Sequence, residues 1–271
     1  MLEGLLTGKR GLILGAANKR SLAMACARAC AERGAVVALT CQSERFRETV
    51  VDLAASLPGE SATTPVLLCD VSKDEDLDAL AAAVRERWGG LDFVVHSIAF
   101  ANPEELKARF HKTSREGFRQ ALDVSAYSFV AVARVMAPLL SKTGSLVTLS
   151  YLGGERVVPN YNVMGAAKAA LDSCVRYLAW DLGPQGIRVN SVLPGPIRTV
   201  SAAAISDFGR MLEHVEKVAP LRRNVTPEEV GDVVAFLASD LARGVTGQMI
   251  HVDSGYSVMG VTTTAPEEGR A

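Results

Sequence analysis

Arg10-Gly11-Leu12-Ile13-Leu14-Gly15-Ala16-Ala17-Asn18-Lys19-Arg20-Ser21-Leu22-Ala23 decides how this chain folds. A short apolar run stops at a glycine, crosses a polar turn and enters an alanine-rich segment, Ser21 to Arg33, with a helical pattern. Gly34 closes that helix as a C-terminal cap. Ala35 to Thr40 then reads as a buried strand. Two strands that are apolar throughout, joined by a helix, indicate a parallel crossover unit.

The alternation continues along the chain. Strands are expected at Val66 to Cys69, Phe93 to His96, Ser145 to Ser150, Ile187 to Leu193 and Met249 to Val252. Helices are expected at Glu44 to Leu57, from a Ser72-Lys73-Asp74-Glu75 capping box to Trp88, and along Ser114 to Leu140. Another should run from Asn162 through Ser173, and another from Thr226-Pro227-Glu228-Glu229 to Ser239. The reading is a single α/β domain: a Rossmann-like, doubly wound, parallel seven-stranded sheet spanning residues 1–258. Residues 259–271 are small and polar and read as a flexible C-terminal tail.

Composition excludes several classes of protein. The 271 residues are 48% apolar and 22% charged, with a net charge of -1, so neither nucleic-acid nor polybasic membrane binding is indicated. No apolar run approaches a membrane span, and Met1 to Arg10 lacks the pattern of a signal peptide. The five cysteines, Cys26, Cys30, Cys41, Cys69 and Cys174, form no Cys-x-x-Cys and read as reduced thiols of a cytoplasmic protein. Neither these nor the four histidines have metal-ligand spacing.

The turn after the first strand is where a doubly wound fold holds a dinucleotide pyrophosphate. Gly15 permits the tight bend, while Ser21 and Ala23 are small enough for backbone to approach phosphate. G-x-G-x-x-G is absent, so an ordinary strand-to-helix turn is the competing reading. At the end of the second strand Gln42 can bond ribose hydroxyls without charge, which favours NADH. Arg45 and Arg47 either form a solvated helix face or leave room for the 2′-phosphate of NADPH. Asp70 can accept from an adenine amino group or cap the next helix. His96 ends the fourth strand at the crevice and reads as a packed histidine rather than a base.

Tyr161 and Lys168 are seven residues apart. On one helix that spacing puts both side chains on one face, about 10 Å apart along the axis. A phenol and an ammonium facing one cleft suit acid and electrostatic catalysis, whereas alone they would read as a packed tyrosine and a surface lysine.

Taken together, Gly15…Ser21-x-Ala23, Cys69-Asp70-Val71, His96-Ser97-Ile98-Ala99-Phe100-Ala101, Ser150-Tyr151-Leu152-Gly153-Gly154-Glu155, Asn160-Tyr161-Asn162-Val163-Met164-Gly165 and Gly195-Pro196-Ile197-Arg198-Thr199 resemble the bacterial enoyl-(acyl carrier protein) reductases. These are the divergent short-chain dehydrogenases of fatty acid synthesis. The resemblance runs from Leu5 to Ser257, and its specific part is Tyr-x6-Lys in place of the usual Tyr-x3-Lys. It implies that Tyr161 bonds the thioester carbonyl, that Lys168 holds the nicotinamide ribose and that Tyr151 is a second active-site tyrosine. It further implies cofactor positions at Ser21, Leu22, Gln42, Asp70, Val71, Ile98, Ile197 and Thr199, and a substrate contact at Ala101. The implied protein is cytoplasmic, homotetrameric and metal-free, and acts on an enoyl thioester of acyl carrier protein.

The spacing suits that chemistry. A hydride landing at C3 of an enoyl thioester places charge on a remote thioester oxygen, so the stabilising donor must be displaced from the lysine. The C2 proton then comes from solvent or a relay; Tyr151 is a candidate, or it only shapes the pocket. Thr199 to Val218, with Phe208 toward the acyl chain, reads as a mobile lid or a plain amphipathic helix. Its few basic residues, Arg210 and later Arg222 and Arg223, leave coenzyme A open as the thioester carrier. A ketone or alcohol oxidoreductase and a non-catalytic dinucleotide binder of the same fold are the competing functions.

Overall fold

The computed structural model describes residues 4–199 and 208–261. The expected lid residues Ser201-Ala202-Ala203-Ala204-Ile205 and the tail from 262 onward lie outside the described residues. Seven strands form one sheet: β1 (Arg10–Leu14), β2 (Val36–Cys41), β3 (Leu67–Leu68), β4 (Leu91–His96), β5 (Leu140–Leu149), β6 (Arg188–Pro194) and β7 (Met249–Val252). Their order is β3-β2-β1-β4-β5-β6-β7, and every pairing is parallel. The expected doubly wound sheet is therefore present. Its chain reverses direction across the sheet between β1 and β4, which opens a crevice at their carboxyl ends.

Helices cover both faces because the strands are apolar on both sides. On one face lie α1 (Leu22–Glu32), α2 (Glu44–Ala55) and a helix at Pro227–Ala238, whose Met24, Val50, Val230 and Val234 share a core with Ile13, Val37 and Val95. On the other lie α3 (Asp74–Trp88), a helix at Ser128–Met136 and a helix at Val163–Leu182, packing Leu77, Phe129, Met136 and Leu171 against Leu12, Val94 and Leu146. In chain order the remaining helices are α4 (Pro103–Lys107), α5 (Arg115–Leu122), α6 (Ser128–Met136), α7 (Val163–Leu182), α8 (Phe208–Val218) and α9 (Pro227–Ala238).

Four expectations change. The Ser72…Glu75 capping box does not form: Lys73 is the N-cap of α3, and Ser72 instead donates its hydroxyl to Asp70 at 2.7 Å. The long helix expected over Ser114 to Leu140 is broken by a π-helical turn at Asp123–Tyr127 between α5 and α6. Contrary to expectation, the run Arg115–Leu139 is long and apolar enough to span a membrane, but 61% of its apolar window is buried, as befits a core helix. Finally, α7 starts at Val163, so Tyr161 stands in the preceding turn rather than on the helix.

The capping box at α9 does form. Thr226 Oγ1 accepts from the Glu229 amide at 3.3 Å, and the Thr226 amide donates to Glu229 Oε2 at 2.8 Å. Arg223 clamps the same carboxylate at 2.8 Å through Nη1. This end of α9 packs beside α1, so Thr226→Ala should cost about 1 kcal/mol. Urea unfolding that shows no fall in midpoint would contradict the cap's contribution.

Candidate active site

The crevice begins at Gly15, whose φ of +97° is the left-handed conformation that glycine adopts freely. A Cβ there would overlap the carbonyl oxygen of Ser97, so β1 and β4 can approach this closely only with glycine. Ser21 caps α1 by accepting from the Met24 amide at 3.4 Å and donates to the Asn18 carbonyl at 2.8 Å. The polar turn is thereby tied to a helix N-terminus that points at the crevice.

Gln42 and Asp70 meet at the ends of β2 and β3, with Gln42 Nε2 3.4 Å from Asp70 Oδ2. Burial opposes the Asp70 charge, but the hydroxyl and amide of Ser72 and the Gln42 amide outweigh it and hold the carboxyl below its usual range. Asp70 is thus an anion bonded within its own turn. Arg47 pairs with Glu44 at 2.7 Å, and Arg45 lies over the Phe46 ring at 5.5 Å, so both belong to the solvated helix face. Val71 is buried in the core beneath α3, with 8% of its surface exposed. Ile98 packs at the edge of the same core, close to Gly15.

His96 is fully buried between Thr148 Oγ1 at 3.1 Å and Ser128 Oγ at 2.8 Å. Burial first, and Lys168 second, push its pKa down to about 3. It is a neutral, packed histidine, as its position in the sequence implied.

A cavity of ≈350 Å³ opens at the carboxyl ends of β4, β5 and β6. Tyr161, Tyr151, Leu22, Ala101, Thr199 and Phe208 are among the residues that line it, and Ile197 joins them. The two tyrosine rings stack edge to face, with centroids 4.8 Å apart at 62°. Tyr151 directs its hydroxyl to Met211 Sδ at 3.4 Å on α8. Burial first, then Tyr256, raises the Tyr151 pKa to about 12. Burial, then Tyr151 and Asp172, raise that of Tyr161 further. Both phenols therefore hold their protons at neutral pH and can act as hydrogen-bond donors.

What positions Tyr161 is a turn. Asn160 and Asn162 have φ of 64° and 42°, a region asparagine tolerates better than most residues. The Asn162 side chain donates to the carbonyls of Leu106 at 2.8 Å and Ala108 at 2.7 Å, which fastens the turn to α4. A Cβ on Gly165 would come within 2.8 Å of the Gly153 carbonyl, so the site at which Tyr-x3-Lys enzymes carry lysine is closed by backbone. Lys168 lies one turn further along α7, 4% exposed, and donates from Nζ to the Leu149 carbonyl at 2.7 Å. Burial lowers its pKa to about 8, against the opposing pull of Asp172. The ammonium thus predominates at neutral pH.

The sequence reading did not single out Ser125 or Met164. Ser125 sits in the π-helical turn, accepts from the Phe100 amide at 2.9 Å and lies 3.8 Å from Met164 Sδ. It fixes the loop that carries Ala101 into the cavity. Only a break in the helical pattern could have revealed it, and the pattern across Ser114 to Leu140 has none. Among the described residues, no group of three or more His, Cys, Asp or Glu could hold a metal ion.

Comparison with known proteins accords with this geometry. The family model described as enoyl-(acyl carrier protein) reductase matches residues 15–257. The Bacillus cereus enoyl-(acyl carrier protein) reductase (NADH) FabI is 50% identical over 94% of this chain and 99% of its own length. The Escherichia coli FabI is 46% identical over 94% of this chain and 96% of its own length. A crystal structure of the B. cereus reductase with NADP+ and an indole naphthyridinone superposes with a TM-score of 0.93, covering 95% of this chain and 99% of that one, at 50% identity. The reductase from Anaplasma phagocytophilum with NAD gives 0.90 at 46% identity, covering 96% of each chain.

The buried imidazole has a pH consequence. His96 binds a proton near pH 6.5 when unfolded and only near 3 when folded, so folding is favoured fully above 6.5 and less as pH falls toward 3. That loss amounts to at most about 1.4 kcal/mol per pH unit. Urea unfolding between pH 7.5 and 4.5 should show a shallower decline for His96→Gln than for the wild type. Parallel declines would show that His96 titrates normally.

Proposed function

The chain belongs to the enoyl-(acyl carrier protein) reductase family, and from that premise we propose how its residues reduce an enoyl thioester. The reaction is the NADH-dependent conversion of a trans-2-enoyl thioester to the saturated acyl thioester in type II fatty acid biosynthesis. NADH supplies a hydride, which reaches C3 of the substrate.

The cleft fits the dinucleotide. Gly15 and Ser21 leave backbone room for the pyrophosphate at the α1 N-terminus. Gln42 and Asp70 meet the adenosine end, and Val71 supports that wall from below. Leu22, Ile98, Ile197 and Thr199 flank the nicotinamide end, where Lys168 grips ribose hydroxyls. NADPH is the weaker cofactor, because Arg47 is already neutralised by Glu44.

The single observation that carries the enoyl reading is the position of the Tyr161 phenol in the turn ahead of α7, with Gly165 excluding lysine from the nearer register. The phenol donates to the thioester oxygen, where negative charge gathers as C3 is reduced. Its raised pKa keeps the proton on Tyr161, so it stabilises the enolate as a donor. Tyr151 shapes the wall, its hydroxyl held by Met211 of α8. Ala101 and Phe208 contact the acyl chain. The carrier is acyl carrier protein; Arg210 is exposed on α8, whereas Arg223 is tied to Glu229 and Arg222 donates to the Lys217 carbonyl. That thin basic rim keeps coenzyme A thioesters as a second class of substrate.

The five thiols are free, which suits a cytoplasmic setting. A homotetramer is supported by Tyr177 and Trp180, which are 72% and 81% exposed on the outer face of α7. Large aromatics at such spacing share one helix face and commonly anchor interfaces. Sedimentation of Trp180→Arg should show smaller species than the wild type. An unchanged assembly would remove this face from the interface.

Tyr161→Phe should lower kcat on crotonyl thioester about 10²-fold while leaving NADH affinity near the wild-type value. Lys168→Ala should instead weaken NADH binding. Full turnover in Tyr161→Phe, or faster reduction of acetoacetyl than of crotonyl thioester by the wild type, would overturn the assignment.

A further inference from the structure

One turn beyond Lys168 on α7 stands Asp172, 5% exposed, which forms no ion pair within 4.0 Å among the described residues. The buried Ser150 hydroxyl, just after β5, faces it and favours its charged form, against the larger effect of burial. Buried carboxylates without a paired charge are rare and call for a reason. Lys168 supplies one. It uses one of its three donors on Leu149 and forms no ion pair within 4.0 Å of Asp172, yet residues at i and i+4 share a helix face. The two buried groups therefore share one face of α7, and the carboxylate's charge acts on the ammonium.

We propose that Asp172 is a positioning residue, holding Lys168 as an ammonium oriented toward the crevice so that it can grip ribose hydroxyls. This rests on the role given to Lys168 above. The surrounding charges are few. His96 of β4 faces Lys168 and is neutral. Arg176 on α7 and Glu155 after β5 act on Asp172 in opposite senses, and Glu155 is in turn 3.3 Å from His251 of β7. Tyr161 keeps its proton. The carboxylate is the only anion acting directly on Lys168 among the described residues.

The sign follows. An anion beside a lysine favours its charged form, so neutralising Asp172 lowers the pH at which Lys168 loses its proton. NADH affinity should fall at high pH as that proton leaves. In Asp172→Asn this alkaline limb should move to lower pH by about one unit relative to wild type. Asp172→Glu should restore it. Fluorescence titration of NADH from pH 6 to 10 reads the limb directly, whether or not thioester turnover is seen. If Asp172→Asn does not fold, Asp172→Ser, which also removes the anion, should move the limb the same way. A limb at the wild-type pH in the variant that folds, or an equal displacement in Asp172→Glu, overturns the proposal.

Discussion

An ammonium taken out of water is the constraint around which this site is built. Removing such a charge from solvent costs several kcal/mol unless hydrogen bonds and an opposite charge replace the lost hydration. Lys168 meets that demand with the Leu149 carbonyl, 2.7 Å away, and with Asp172 on its own helix. Leu149 is the last residue of β5, which is paired on both sides, so the bond ties α7 to an interior strand of the sheet. With the lysine held there, the crevice between the ends of β1 and β4 has a fixed cationic edge.

The phenol is held by different means. A helix alone would have fixed Tyr161 by its 3.6-residue period, but the chain enters the helix two residues too late for that. Two left-handed residues and the Asn162 clamp on α4 do the work instead. The lysine is thus fixed by sheet and helix, and the phenol by a turn anchored to a neighbouring short helix. Their separation is set by two independent supports, and the space between them is closed by Gly153 and Gly165.

Much of this was legible in the residues. Apolar runs ending in Gly15, Asp70 and His96 placed the sheet's carboxyl edge, because strands buried on both faces leave a strong signal. The roles of His96 and of the arginines on α2 followed from how rarely such groups do otherwise. What the pattern hid depends on tertiary partners. Ser72 looks like a cap but finds Asp70 closer. Tyr161 looks helical because its neighbours are, and positive φ at asparagine leaves no periodic trace. Lys168 and Asp172 read as an ordinary helical spacing until burial makes each the other's main counterion.

The π-helical turn at Asp123–Tyr127 limits how this framework can change in length. One surplus residue in a helix rotates everything after it by about 100°. Here that rotation is already absorbed: Phe129, Val132 and Met136 reach the core only because the extra residue precedes them. Deleting a single residue there would turn all three off the sheet and withdraw Ser125 from the Phe100 loop. The connection from Gly59 to Val66, by contrast, leads into a two-residue edge strand and could gain or lose residues with little effect on the site. Insertions and deletions in descendants of this chain should therefore gather at the β3 margin and spare the stretch from Arg115 to Leu139.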